Sequence, residues 1–195
     1  PYPTANPDLK PEYSLNVDLG LVMEKEHVEA SVTWYRTDAR NMIRYFGSWP
    51  SAEVVNIDHM VFSGIEAHVG LLDLGPVSLY LNADWKDVGR YTRQNPSSKY
   101  NFTVQAGHTF GQHTIQSSLS GEWVRGLYSE NYARDPMDDV FFMDLSLRYR
   151  YVLTQRVIAI EPYVHLRNIT NSTYAYIEDY VMPGFNLSAG VKVTL

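Results

Sequence analysis

Histidines, one acidic loop and a scatter of tyrosines are the residues in this sequence with chemistry to offer. His27, His59, His68, His108, His113 and His165 are spread along the chain, and none is assigned to a zinc site. His108 shares the apolar parity of its segment and His113 lies in a turn, so solvated or interfacial roles are expected of both. Asp135, Asp138 and Asp139, in Asp135-Pro136-Met137-Asp138-Asp139, offer hard oxygen ligands of the kind calcium takes. They lack the regular spacing of a calcium loop, so a solvated charge cluster is expected and no metal site is assigned. A hydrolase would need a serine, a histidine and an acid converging at one depth. Ser118, Ser120 and His165 sit in no nucleophile motif, so no catalytic residue and no cofactor is assigned.

The aromatic residues carry more weight. Tyr45, Phe46, Trp49, Tyr91, Tyr128, Tyr132, Tyr174, Tyr176 and Tyr180 fall between the patterned segments or at their ends. Large stiff rings suit the capture of a bulky flat or amphipathic ligand, and they equally suit the packing of loop on loop. Tyr45, Trp49, Tyr91, Tyr128, Tyr132, Tyr174 and Tyr176 are the ligand-binding candidates.

The elements that must position these residues are strands. Phe185 to Leu195 alternates strictly, apolar at odd positions and small, polar or charged at even ones. Side chains on a strand point alternately to opposite faces, so this segment has one greasy face and one wet face, over a length that crosses a bilayer when tilted. The same pattern recurs from Tyr13 to Met23, Val28 to Trp34, Ile65 to Leu71, Val77 to Trp85, Phe102 to Phe110, Ile115 to Trp123, Met143 to Tyr151 and Ile158 to Leu166. Short turns (Lys25-Glu26-His27, Asp73-Leu74-Gly75-Pro76, Gly111-Gln112-His113, Thr154-Gln155-Arg156) alternate with longer polar loops. Trp34, Trp85 and Trp123 sit on the apolar faces of strands rising from short turns, where a membrane interface would hold an indole. The expected fold is all-β: an antiparallel transmembrane barrel wall of about nine strands.

Composition agrees. The chain has 195 residues, a formal net charge of −6, 15 tyrosines and no cysteine. The acidic balance argues against nucleic acid. No apolar run is long enough for a membrane helix, and alternating barrel strands average to a mildly polar composition without one. Nine is odd, whereas bacterial single-chain barrels have even strand numbers, so residues 1–195 are expected to be the C-terminal part of a larger barrel.

Four motifs support that expectation. Asn6-Pro7-Asp8-Leu9-Lys10-Pro11-Glu12 resembles the Asn-Pro-x-Leu-Lys-Pro-Glu motif of TonB-dependent outer-membrane receptors. Asn56 to Glu66, ending Gly64-Ile65-Glu66, resembles their Asn…Gly-Val-Glu strand. Leu166-Arg167-Asn168-Ile169-Thr170-Asn171-Ser172-Thr173-Tyr174 and Met182-Pro183-Gly184-Phe185 resemble the elements before their last strand, with Phe185 where arginine is usual. The resemblance implies the last nine strands of a 22-stranded barrel in the outer membrane of a Gram-negative bacterium. It implies a transport receptor rather than an enzyme, which takes up a scarce nutrient such as a corrinoid, haem or an iron–siderophore. The implied partners are outer-membrane lipid, the small-molecule nutrient, and an N-terminal part bearing a plug and the earlier strands, through which TonB would act. The alternatives are a small self-contained barrel enzyme or a passive pore, or a soluble antiparallel binding module with an ordinary core.

Overall fold

The computed structural model describes residues 6–47, 52–87, 96–129, 136–153 and 158–194. Nine antiparallel strands run in chain order through one sheet. They are β1 (Tyr13–Lys25), β2 (Val28–Phe46), β3 (Glu53–Leu74), β4 (Val77–Asp87), β5 (Ser98–Phe110), β6 (His113–Arg125), β7 (Val140–Val152), β8 (Ala159–Arg167) and β9 (Asn186–Thr194). Among the described residues no ladder joins β1 to β9, so the sheet is an open wall with two edges.

At one end the connections are tight. Two residues, Glu26 and His27, turn β1 into β2. Gly75-Pro76 and Gly111-Gln112 do the same for the next two hairpins, with Gly75 at φ 67° and Gly111 at φ 60° in the left-handed region where glycine is at ease. His113, expected in the turn, is the first residue of β6. The Thr154-Gln155-Arg156 turn lies outside the described residues. At the other end the connections are long, and β2 and β3 outgrow the rest. At 13 residues, β5, β6 and β7 rise about 30 Å when tilted about 45°, the thickness of a hydrocarbon layer. β2 and β3 have 19 and 22 residues and project well past it.

The wall is one layer thick. Only Ala39, Met60, Val124, Leu127, Val140 and Ala159 are buried among the described hydrophobic residues. The large apolar side chains instead line one face in every strand: Leu19 and Leu21, Val32 and Trp34, Ile65 and Val69, Leu81 and Trp85, Phe110, Ile115 and Trp123, Leu147, Ile160, Leu187, Val191 and Val193. A soluble module would bury such residues against a second layer. This apolar face is bounded by aromatics. Toward the long loops, Trp34 and Trp85 lie in one register row through Ile65, and the Trp85 indole donates to the Tyr100 hydroxyl at 2.7 Å. Tyr100 packs in turn on Trp123 at 5.4 Å. Toward the tight turns, His108, Phe110, His113 and Tyr151 stack in sequence, with Tyr149 on His113.

The β2–β3 extension is held by the N-terminal segment. Asn56 accepts from the Lys10 amide at 2.8 Å and donates to the Lys10 carbonyl and to the Asn41 carbonyl. Asn6 donates to the Val54 carbonyl, and Glu12 accepts from the Ile43 amide. Two of the four sequence motifs are therefore the two sides of one clamp.

Aromatic rings also lie over glycines in register. Tyr35 faces Gly64, and Tyr163 faces Gly190. A Cβ on Gly64 would stand 2.5 Å from the Tyr35 hydroxyl and 2.6 Å from the Trp85 carbonyl, whereas one on Gly107 would meet nothing closer than 3.7 Å. Gly64→Val is therefore expected to destabilise the barrel by about 1–3 kcal/mol, as overpacking does, and Gly107→Ala to leave it within about 1 kcal/mol. The temperature at which the full-length protein loses its folded gel mobility reads the difference.

Candidate functional site

The other face of the wall is polar. Its rows carry Ser31, Thr33, Glu66, His68, Asn82, Asp84, Lys99, Asn101, Gln105, Gln116, Ser118, Glu122, Asp144, Ser146 and Arg148, all on the parity opposite the tryptophans. Neighbouring strands lie close enough for cross-strand pairs, and the charges use that spacing. Lys99 meets Glu122 at 2.7 Å and Arg148 meets Glu161 at 3.3 Å across neighbouring strands, while Lys86 meets Asp84 at 2.9 Å along its own strand. His68 bridges Asn82 at 2.8 Å and Glu29 at 3.0 Å. Clefts on this face are shallow and hydroxyl-lined. One, of about 460 Å³, runs from Asp73 and Ser78 across Gln105 and Gln116 to Ser146 and Arg148.

One loop folds onto this face. After β8 the chain enters residues 168–185, organised by Asn168, which is 3% exposed at φ 49°. The Asn168 amide donates to Asp144 at 2.8 Å. Its side chain donates to the Ser172 and Pro183 carbonyls and accepts from the Thr170 hydroxyl and the Ser172 amide. Asn171 accepts from the Phe185 amide, closing the loop onto the start of β9. The short side chain of asparagine reaches its own backbone and tolerates the left-handed conformation, which suits it to both jobs.

The hub aims the loop aromatics inward. Tyr174 stacks on Phe142 at 5.0 Å with rings 4° from parallel, and Tyr176 meets Tyr174 edge-on. Both pack on Val124, Leu127 and Val140, the one hydrophobic cluster of the described residues. The Tyr176 hydroxyl donates to Glu122 at 2.6 Å, and Glu122 also holds Lys99. Burial first, and then the Glu122 carboxylate, push the Tyr176 phenol well above its ordinary pKa. Burial likewise raises Tyr174, with Asp144 and Glu122 adding to it.

The remaining candidates are dispersed. Tyr45 is 73% exposed near the tip of β2. Tyr128 lies half-buried just past β6. Trp49, Tyr91, Tyr132 and Asp135 lie outside the described residues. Asp138 is exposed, and Asp139 is paired with Arg125 at 2.9 Å. Among the described residues no three His, Asp or Glu side chains converge as a metal site would require. Ser118, Ser120 and His165 line one small cleft, and His165 bonds to Ser146 at 2.8 Å. No carboxylate bonds to the far side of that imidazole among the described residues, and the strand amides around it are committed to the ladders. Trp34, Trp85 and Trp123 stand on the apolar face. Sequence reasoning passed over Phe142, and it placed Glu122 on a wet face and Asn168 in a motif without the loop contacts they make. The signals available were the motif containing Asn168 and the wet-face parity of the other two.

A one-layer antiparallel sheet, greasy and aromatic-banded outside and charged inside, is the wall of a transmembrane β-barrel. A family model described as TonB-dependent receptor-like, β-barrel, matches residues 1–158. The chain belongs to that family. It is 30% identical over 89 residues to the vitamin B12 transporter BtuB of Vibrio vulnificus, a match covering 43% of this chain and 14% of that protein. It is 50% identical over 38 residues to the probable TonB-dependent siderophore receptor PirA of Acinetobacter baumannii, covering 20% of this chain and 5% of the relative. Its fold matches the ferric preacinetobactin receptor BauA of Acinetobacter baumannii with a TM-score of 0.72 at 13% identity, over 91% of this chain and 29% of the other. The copper transporter OprC gives 0.71 at 16%, over 100% and 33%. The chain thus spans about a third of the length of these structures.

Two predictions concern the loop. Asn168→Ala removes side-chain partners of two carbonyls, a hydroxyl and an amide. It should cost about 1–3 kcal/mol locally and expose residues 168–185 to proteolysis while the strands stay protected. A phenol whose folded pKa is raised contributes stability that is intact below its unfolded value of about 10 and is lost as pH climbs above it. Wild-type stability should therefore fall from about pH 10 upward more steeply than that of Tyr176→Phe, measured by parallel thermal melts across pH.

Proposed function

We propose that residues 1–195 form one continuous C-terminal stretch of the barrel wall of an outer-membrane uptake receptor. The observation that carries this is the two-solvent sheet itself, an apolar outer face between aromatic bands and a charged inner face, in a chain of the TonB-dependent receptor family. In this reading the whole protein sits in the outer membrane of a Gram-negative bacterium. It binds a scarce nutrient at its outer loops and passes it inward through movement of a plug coupled to TonB. The relatives named for vitamin B12 and siderophores support a corrinoid or an iron–siderophore as cargo, and haem belongs to the same class of bulky ligand. The plug and the earlier strands are then the partners of the polar face, and the protein acts as a transporter with no catalytic step.

Tyr45, Tyr128, Tyr174 and Tyr176, with Trp49, Tyr91 and Tyr132, are the ligand-contact candidates. The placement of Tyr45, Tyr128, Tyr174 and Tyr176 at the long-loop end of the wall supports these four. Tyr45 is the cleanest probe, because it is exposed and its loss disturbs no packing.

Uptake of labelled ferric siderophore and labelled cobalamin into cells bearing or lacking the full-length gene tests the reading. One cargo should enter in a receptor-dependent manner and stop when TonB is removed. Uptake indifferent to TonB would overturn the active-transport reading in favour of a passive pore. Tyr45→Ala should weaken binding of that cargo by about tenfold, the loss expected for an aromatic anchor, with folding unchanged.

A further inference from the structure

On the polar face, β5 and β6 differ from their neighbours. From Asn101 to Thr109 on β5, and from Thr114 to Ser120 on β6, every inner position is a hydroxyl, an amide or Gly107. With the strands tilted about 45°, this neutral strip covers about 20 Å of the wall's height. Each strand carries one inner charge, Lys99 or Glu122, and the two meet at 2.7 Å at the long-loop end, where the Tyr176 hydroxyl also bonds Glu122. The flanks are unlike the strip. β7 sets Asp144, Arg148 and Arg150 opposite Ser120, Gln116 and Thr114. β4 sets Asp84 opposite Lys99, with the Tyr80 ring opposite Thr103.

The strip also has hydrogen-bonding capacity to spare. Among the described residues the side chains of Thr103, Gln105, Gln116, Ser118 and Ser120 make no hydrogen bond within the wall. Beside them Ser146 is committed to His165, and Arg148 to Glu161. Short side chains leave room: a Cβ on Gly107 would meet nothing closer than 3.7 Å, and the cleft of about 460 Å³ lies along the strip with Asp73 and Arg148 at its ends. A second run of hydroxyls, Ser31, Thr33 and Thr37 on β2, is flanked by Asp18 and Glu66 and interrupted by the Tyr35 ring.

Charged columns fix whatever lies against them, because parting a buried charge from its partner is costly. Neutral donors and acceptors make contacts that exchange readily with water, which a conduction path requires. Resting on the uptake reading above, we propose that the inner faces of β5 and β6 are the track along which cargo moves down the wall, from the loops toward the tight turns. The cargo it fits is a bulky hydrophilic molecule with amide, hydroxyl or carbonyl groups at its rim. Gln105 and Gln116 meet such groups as donor or acceptor. The plug is then held by the charged columns on either side and parts from the wall where it is held least.

The test uses cells bearing the full-length receptor, with a genetically encoded diazirine side chain in place of Ser118, Gln105 or Lys192. Each variant must keep the folded gel mobility of wild type, and the Gln105 site carries the measurement if the Ser118 site misfolds. The probe is labelled ferric siderophore or labelled cobalamin, whichever the wild type takes up. Illumination during uptake should link label to the strip sites by about tenfold or more over cells lacking TonB, and by the same margin over the Lys192 site. No adduct at the strip sites while uptake proceeds, or an adduct indifferent to TonB, overturns the track. Equal adduct at the Lys192 site overturns its confinement to β5 and β6. Adducts to the receptor's own remaining chain alone make the strip a seat for the plug and also overturn the track. Wild-type uptake indifferent to TonB refutes instead the reading on which the track rests.

Discussion

The backbone hydrogen bond, repeated across eight ladders, is what everything else in this wall depends on. A peptide group left unpaired in hydrocarbon costs several kcal/mol, so a membrane-crossing sheet has to satisfy its amides strand to strand. Once it does, the side chains are free to face two solvents at once. The wall needs no second layer, and almost nothing in it is buried. The tight turns at one end and the long connections at the other follow from the same arrangement. The hairpin turns need only reverse the ladder, while the opposite end is where chain can be spared for function.

The ladders alone do not stiffen the wall where it leaves the membrane. β2 and β3 continue beyond Trp34 with no neighbour of equal length, since β1 begins pairing at Arg40 and β4 at Ser63. Two devices compensate. The segment from Asn6 to Glu12 lies against the extension and returns its hydrogen bonds through Asn56 and Asn41. The Tyr35 ring covers Gly64 where the extension begins, filling space that glycine leaves and shielding its backbone. The proline-rich motif and the Asn…Gly-Ile-Glu strand, far apart in sequence, are in this sense one structural unit.

The strands were legible because each follows a period of two over seven or more residues, a signal that needs no tertiary context. Strand order followed from it, since adjacent antiparallel strands joined by short turns leave little choice of topology. Ends were less legible. Beyond Trp34 the outward positions of β2 become charged, so alternation of hydrophobicity stops although the ladder continues to Phe46. Hydrophobic pattern reports the solvent and hydrogen bonding makes the strand, and the two part company outside the membrane. The candidate site was legible only as composition. Tyr174 and Tyr176 stand out as loop aromatics, but that they turn inward onto Phe142 and Glu122 depends on the left-handed backbone at Asn168 and Asn171. No periodicity encodes such a hub.

The inner face constrains what can lie against it. Glu66 and Asp84 stand directly opposite each other across β3 and β4, an arrangement that like charges disfavour. Lys86 takes one oxygen of Asp84, and the other, Oδ1, is enclosed without a hydrogen-bond donor among the described residues. Lys99, which faces Asp84 across the ladder to β5, gives its ammonium to Glu122 instead. The carboxylates of β3, β4 and β6 therefore outnumber the cations nearest them. Toward the tight turns the balance reverses: Arg148 and Arg150 share Glu161, and Lys192 lies beside the same carboxylate in register. An apolar occupant would strand these charges at a cost of several kcal/mol each. Water can meet both halves, and so can a surface whose own charge runs basic against the first half and acidic against the second. A featureless greasy filling is the one thing this wall is built to refuse.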